Sequence, residues 1–111
     1  MDKVNCPYLT AIKRTALSAP TRYLLQHGLL KGRILDFGCG HGFDTDELKR
    51  LGYDIEGYDS CYRPDYPKGK FDTIICVYVL NVLESYAQAE VMWEISNLLA
   101  PGGTVYYAVR R

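Results

Sequence analysis

Short apolar runs alternate with amphipathic segments along this chain, and the alternation predicts its secondary structure. Residues 34–37 and 71–80 are almost continuous apolar runs bounded by turn residues. Such runs are typical of strands that are buried on both faces of a parallel sheet. Residues 53–58 and 104–109 are shorter segments rich in β-forming residues. The pattern therefore predicts four strands.

Before the first strand, the chain carries the start and stop signals of a helix. Ser18 is predicted to cap this helix, Pro20 stands in its first turn, and Gly28 ends it. Residues 11–17 are predicted to form another short turn or helix.

The helices that follow the first and second predicted apolar runs begin with similar signals. Asp44 and Glu47 have the spacing of a capping box, and so do Ser85 and Gln88. Apolar residues then recur at helical spacing, and residues 101–103, Pro-Gly-Gly, are expected to break the last helix.

Strands that alternate with crossover helices imply a right-handed, doubly wound parallel sheet. The predicted fold class is α/β, a truncated Rossmann-like sheet of about four strands with N-terminal helices. Residues 1–32 are interpreted as an N-terminal helical cap and residues 33–111 as a minimal cofactor-binding domain, together one compact domain. Only two arginines follow residue 109, so the last strand is expected at a sheet edge, open to a second copy or a protein partner.

Composition narrows the functional classes. Thirteen Lys and Arg balance thirteen Asp and Glu, so net charge does not support nucleic-acid binding. No run reaches the ~18 apolar residues of a membrane span and no signal-peptide pattern is present, so no membrane association and a cytoplasmic location are expected. The four cysteines are widely spaced without a C-x-x-C pair. They are interpreted as free thiols, and no metal site is predicted.

The loop after the first strand carries the candidate chemistry. Gly38, Gly40 and Gly42 alternate shortly after Asp36. Glycine lets the backbone turn with positive φ and approach a ligand closely, and the helix N-terminus that follows offers N–H groups to a nucleotide-like molecule. About twenty residues further on, Asp59 follows the second strand, where a carboxylate can accept both hydroxyls of a ribose.

The spacing of this loop distinguishes among nucleotides. Dinucleotide sites prefer G-x-G-x-x-G, whereas residues 38–42 read G-x-G-x-G. Asp36 would repel a pyrophosphate but suits an α-amino group. The lysine and hydroxyl of a P-loop are absent. The pattern favours S-adenosylmethionine, and an NAD site is the weaker alternative.

Four segments in this order resemble the successive motifs of class I S-adenosylmethionine-dependent methyltransferases: residues 34–42, 56–59, 71–75 and 98–103. A narrower resemblance, to the methyltransferases associated with DNA phosphorothioation, is carried by residues 11–20, 28–30, 36–42, 62–64 and 78–83. The resemblance implies S-adenosylmethionine as cofactor, S-adenosylhomocysteine as product and an unidentified methyl acceptor. The alternative is a non-catalytic cofactor-binding module or a subunit of a larger complex.

The resemblance also implies roles for residues of the glycine loop and of the second strand end. Asp36 would hold the amino group of the cofactor through water, and Asp59 would bind the ribose hydroxyls. Ser60 and Cys61 would lie near the adenine. The methionine and ribose portions would pack against the backbone of Gly38, Cys39, Gly40 and His41.

On the acceptor side, the resemblance implies that Val77, Tyr78 and Asn81 border the sulfonium and the acceptor, and that Arg14 pairs with the cofactor carboxylate. His41 is a candidate general base, with a solvent-facing or helix-capping role as the alternative. No catalytic residue is assigned, because methyl transfer from a sulfonium is an in-line displacement that needs orientation and desolvation more than an acid–base pair.

Overall fold

The order of secondary-structure elements follows the alternation of apolar and amphipathic segments. The computed structural model describes residues 13–110. Its elements are α1 Ala19–Gln26, β1 Ile34–Phe37, α2 Phe43–Arg50, β2 Ile55–Tyr58, β3 Phe71–Val77, a 3₁₀ turn Leu80–Val82, α3 Ser85–Leu98 and β4 Leu99–Ala108.

The four strands form one parallel sheet in the order β2-β1-β3-β4. Ile34 pairs with Ile55 of β2 on one side and with Thr73 of β3 on the other. The strand order therefore reverses at β1, which is the arrangement of a doubly wound sheet. The predicted truncated α/β sheet of four strands is confirmed.

Each face of the sheet is covered by helices, which explains the continuous apolar runs. Leu35 and Ile74 belong to a buried cluster with Val91, Ile95 and Leu98 of α3. The residues next to them in sequence, Ile34 and Ile75, belong to a second cluster with Leu24 of α1 and Leu48 of α2. Neighbouring strand residues point to opposite faces, so both must be apolar when both faces are covered.

A buried carboxylate joins α1 to α2. Asp44 accepts hydrogen bonds from the backbone N–H of Ser18 (2.9 Å), the hydroxyl of Ser18 (2.6 Å) and the hydroxyl of Thr21 (2.7 Å). Ser18 occupies the N-cap position of α1, as predicted, but its side chain makes no capping hydrogen bond. The predicted capping box of Asp44 and Glu47 is wrong, since Gly42 occupies the N-cap position of α2 and no side chain caps this helix. The side chains of Ser18 and Asp44 bond to each other across the fold.

The segment between β3 and α3 also differs from the prediction. The strand ends at Val77, and Leu80–Val82 forms a 3₁₀ turn. The predicted capping box at Ser85 is wrong, because the Gln88 side chain donates instead to the carbonyls of Leu80 (2.7 Å) and Leu83 (3.0 Å). No helix between residues 13 and 110 is long and apolar enough to cross a membrane.

Strand β4 begins earlier than predicted and lies at the edge of the described sheet, as expected. Phe71 pairs with Leu99 and Thr73 pairs with Thr104, so residues 101–103 fit into the strand as an irregularity in the pairing. The Pro-Gly-Gly segment thus ends the helix but does not delay the strand. A bulge can absorb the extra residues.

Two expectations concern residues near the N-terminus and the cysteines. Residues 13–17 contain a bend and no helix, and the rest of the predicted segment 11–17 lies outside the described residues. Cys39 and Cys76 are free thiols, but the expectation is wrong for Cys61, which is disulfide-bonded. Cysteines that are far apart in the sequence can lie close together in the fold. Cys6 lies outside the described residues.

Replacing Asp44 by alanine is expected to lower the free energy of unfolding by about 3 kcal/mol, because two buried hydroxyls and one buried N–H would lose a charged acceptor. Urea unfolding measures this change. Thr21→Val in the Asp44→Ala background is expected to cost less than in the parent chain. The exposed Asp65→Ala is the control and should lie within about 0.5 kcal/mol of the parent. An equally small effect of Asp44→Ala would contradict the role of this carboxylate.

Candidate functional site

A cavity of about 370 Å³ opens where the carboxyl ends of β1, β2 and β3 meet. This volume lies in the usual range of small-molecule sites, and the location is the switch point of the doubly wound sheet. The residues predicted for the site all line it: Arg14, Asp36, Gly38, Cys39, Gly40, His41, Asp59, Ser60, Val77, Tyr78 and Asn81. Their roles towards a ligand stay predictions.

The glycine loop is bonded to the end of β2. The backbone N–H groups of Gly38 (2.6 Å) and Cys39 (3.0 Å) both donate to the carbonyl of Tyr58. Gly38 has a φ of 81°, and a Cβ there would collide with the side chain of Val79. Any other residue would therefore displace this loop.

The carboxylate of Asp59 already accepts hydrogen bonds from the protein backbone. Its Oδ1 accepts from the N–H groups of Cys61 (2.9 Å) and Tyr62 (3.1 Å), and its Oδ2 accepts from the N–H of Gly40 (2.9 Å). A carboxylate has about four acceptor positions, so about one remains, on Oδ2. Binding of both ribose hydroxyls would require at least one of these bonds to exchange.

Arg63 fastens the turn after β2 onto α2, and sequence reasoning missed this role. Its guanidinium pairs with both carboxylate oxygens of Asp46 (2.9 and 2.7 Å) and donates to the carbonyl of His41 (2.9 Å). A Cβ at Gly42, where φ is 88°, would collide with this guanidinium. The signal available in the sequence was the position of Arg63 within the motif at residues 62–64.

Asp36 is buried at the tip of β1, and its Oδ2 accepts a hydrogen bond from Thr45 Oγ1 (3.0 Å). Burial, followed by the charge of Asp44, raises the pKa of Asp36 to about 7. Burial also raises the pKa of the Cys39 thiol to about 12. Cys39 therefore stays a thiol near neutrality and lacks the thiolate that a nucleophile needs.

Tyr62 lines the cavity and carries a polar atom without a hydrogen-bond partner among the described residues. Its ring lies 4.2 Å from the ring of His41, centroid to centroid. Among the described residues, its hydroxyl is the buried side-chain atom without a hydrogen-bond partner. A buried hydroxyl in this state is costly, and a polar ligand atom would satisfy it. Within residues 13–110, no group of three or more His, Cys, Asp and Glu could hold a metal ion.

Tyr78 lies beside two arginines on the other side of the cavity. The guanidinium carbon of Arg14 is 5.8 Å from the centroid of the Tyr78 ring, and that of Arg110 is 4.2 Å from it. Sequence reasoning missed Arg110. Its position two residues after the end of a parallel strand could have indicated it, since such ends meet at one edge of the sheet.

Comparison with known proteins agrees with this geometry. Residues 9–111 match the model of a family described as "Methyltransferase domain". The chain belongs to this methyltransferase family. The match includes the glycine loop, Asp59 and the segments after β3 and β4 that line the cavity.

Two curated relatives of this methyltransferase chain are ubiquinone biosynthesis O-methyltransferases. The protein of Nitrosococcus oceani is 32% identical in an alignment covering 78% of this chain and 47% of the relative. The protein of Colwellia psychrerythraea is 25% identical in an alignment covering 75% of this chain and 44% of the relative. The chain thus spans about half the length of these relatives.

Solved methyltransferases share the fold. The glycopeptide N-methyltransferase MtfA, complexed with S-adenosyl-L-methionine, matches with a TM-score of 0.64 at 16% identity, over 80% of this chain and 52% of its own. The magnesium protoporphyrin IX methyltransferase of Synechocystis PCC 6803 matches with a TM-score of 0.58 at 21% identity, over 73% and 51%. The four-stranded sheet is therefore a truncated Rossmann-like methyltransferase fold.

Stability is expected to fall as pH rises from about 4 to 7, through the titration of Asp36. Its pKa is raised from 3.8 to about 7 in the fold, so the native state binds more protons than the unfolded chain in this window. The full effect is about 4 kcal/mol. The charged or titratable groups that interact with it are Asp44, Asp59, Arg63, Cys39 and Cys76.

The matched variant is Asp36→Asn, whose amide oxygen can still accept from Thr45. Urea unfolding at pH 5 and pH 8 is expected to show a smaller loss of stability in the variant than in the parent chain. At pH 8 the variant should be the more stable of the two. An identical pH dependence in both proteins would show that Asp36 does not titrate in this window.

Proposed function

We propose that this chain is an S-adenosylmethionine-dependent methyltransferase domain of minimal size, which releases S-adenosylhomocysteine. The observation that carries the proposal is the pairing of Asp59 with the glycine loop at the switch point of the sheet, in a chain of the methyltransferase family. Solved structures of the same fold contain this cofactor.

The residues of the cavity fit such a cofactor. The Tyr62 hydroxyl lacks a partner, and one acceptor position of Asp59 is open to a ribose hydroxyl. Asp36, when ionised, suits the amino group, and Ser60 lies on the adenine side. Arg14 is assigned to the cofactor carboxylate. The cofactor supplies an electrophilic methyl group on its sulfonium.

This chain's own contribution is orientation and exclusion of water. Val77, Tyr78 and Asn81 line the cavity after β3, where the acceptor would lie. An in-line displacement gains most of its rate from such positioning. His41 remains the candidate base for an acceptor that must lose a proton.

We further propose that the acceptor atom is an oxygen. Both curated relatives are named O-methyltransferases. Residues 77–81, at the end of β3, read Val-Tyr-Val-Leu-Asn and lack the Asp/Asn-Pro-Pro-aromatic sequence of amino-methyltransferases, so methylation of a DNA exocyclic amine is not supported. The narrower resemblance to the methyltransferases associated with DNA phosphorothioation is kept as part of the proposal. Its support is that Tyr62 and Arg63, from the motif at residues 62–64, are both built into the site.

The proposed division of the chain is a cap, residues 1–32, over a cofactor-binding domain, residues 33–111. The bonds from Ser18 and Thr21 to Asp44 support it, because they attach the first segment to the second beside the cavity. A cytoplasmic location stays a prediction.

Isothermal titration calorimetry tests the cofactor site. S-Adenosylmethionine and S-adenosylhomocysteine are expected to bind, and NAD is not. Asp59→Ala and Gly40→Val are each expected to weaken binding at least about tenfold. A hydrogen bond to a charged group is worth about 1.5–3 kcal/mol, and valine at Gly40, where φ is 59°, would strain the loop. Asp65→Ala is the control and should bind as the parent does. If neither cofactor form binds the parent chain, the proposed function is wrong.

Transfer of a labelled methyl group to components of a cell extract separates an enzyme from a cofactor-binding module. Incorporation that disappears in Asp59→Ala supports the methyltransferase. Cofactor binding without any incorporation would favour the non-catalytic alternative.

We also propose that a second copy of the chain pairs with the outer edge of β4. Tyr107 and Val109, near its end, are 38% and 57% exposed. Light scattering is expected to show a mass that rises with concentration. Tyr107→Lys should shift the protein towards monomer, because charge on an edge strand opposes pairing. Tyr86→Lys, on the exposed surface of α3, is the matched control. A monomer mass at every concentration would contradict the dimer.

A further inference from the structure

Two positive charges line the cavity and have no carboxylate partner within residues 13–110. The salt bridges among residues 13–110 are Arg33–Glu56, Arg50–Glu47 and Arg63–Asp46. Arg14 and Arg110 belong to none of them, although both line the cavity and lie over the ring of Tyr78. Unneutralised charge in a partly enclosed site attracts a ligand of opposite sign.

The backbone conformation and a backbone hydrogen bond fix the position of Tyr78. Its N–H donates to the carbonyl of Ala108 (2.7 Å), two residues before Arg110. Among the described residues it is the non-glycine residue with a positive φ, 59°. Such a conformation costs energy and is concentrated at functional sites. The pairing of β3 with β4 thereby sets Tyr78 and Arg110 side by side.

The charges of the cavity are divided between its two sides. Asp36, Asp44 and Asp59 surround the glycine loop, where each already accepts hydrogen bonds from the protein. Arg14 and Arg110 lie at Tyr78, on the side formed by β3 and β4. A cofactor sulfonium beside Tyr78 would add another positive charge there, so an anion between these groups would offset the repulsion.

The residues around Tyr78 also indicate that the part of such a ligand that carries the anionic group is apolar. Val79, Val82 and Leu83 line the cavity next to Tyr78. Arg110 is the arginine closer to the ring of Tyr78, and it follows β4, at the edge of the sheet opposite β2, which precedes Asp59. A ligand that binds Arg110 would therefore lie on the acceptor side.

We propose that the methyl acceptor carries a carboxylate or phosphate on an apolar body, and that Arg110 binds this anionic group beside Tyr78. This inference rests on the proposed function, because it identifies the ligand as the acceptor. Arg14 serves the carboxylate of the cofactor, and Arg110 is the residue that selects the acceptor by charge. Guanidinium groups suit both anions because they can donate two parallel hydrogen bonds.

Calorimetry with acceptor-like probes tests the proposal. Phenylacetate and phenyl phosphate are titrated into the protein with and without S-adenosylhomocysteine, and phenylacetamide is the uncharged comparison. At least one anion is expected to bind about tenfold or more tightly than the amide. Arg110→Gln is expected to bring the preference within about twofold while leaving the affinity for S-adenosylhomocysteine unchanged. The anion that binds more tightly identifies the group.

Arg22→Gln removes the same charge from the exposed surface of α1 and should retain the full preference. Urea unfolding verifies that Arg110→Gln is folded. Equal binding of anions and amide by the parent chain overturns the proposal. So does a tenfold loss of S-adenosylhomocysteine affinity in Arg110→Gln, which would make Arg110 a cofactor residue. Failure of the parent chain to bind S-adenosylhomocysteine refutes the proposed function separately, since the anion preference is also measured without it.

Discussion

The site depends on the attachment of the glycine loop to the end of β2. The carbonyl of Tyr58 and the carboxylate of Asp59 accept the N–H groups of three consecutive loop residues, 38–40. Because β1 and β2 are also paired through their length, the loop cannot shift without the strand end beside it. Arg63 then closes the turn after β2 onto α2. The backbone that faces a ligand is therefore fixed before any ligand arrives, which reduces the entropy lost on binding.

Much of the fold was predictable because a strand in a sheet that is covered on both faces appears in the sequence as a continuous apolar run. The runs that begin at Ile34 and Phe71 could only be strands covered from two sides. Helix starts were not predictable in the same way. Asp44 has Glu47 at the spacing of a capping box and Ser18 stands at the N-cap of α1, yet their side chains bond to each other across the fold. The spacing of residues along a helix does not show which hydrogen-bond partner tertiary packing will bring closer.

The location of the site was predictable for a related reason, since loops after parallel strands meet at one edge of the sheet. The missed residues act through contacts between elements. Arg63 works through Asp46 of α2, and Arg110 is beside Tyr78 only because β4 pairs with β3. The sequence indicated Asp36 as a site residue but did not indicate that it is buried. Burial is the largest cause of its raised pKa.

The internal bonds of Asp59 bear on how quickly a bound molecule can leave. One ribose hydroxyl can reach the open position on Oδ2, whereas a second hydroxyl must displace a protein N–H that already bonds to this carboxylate. For this second hydroxyl the gain and the loss of hydrogen bonds nearly cancel, so it adds little to the residence time of a bound molecule. When the bound molecule leaves, the protein N–H can return to the carboxylate, so release does not leave that group unpaired.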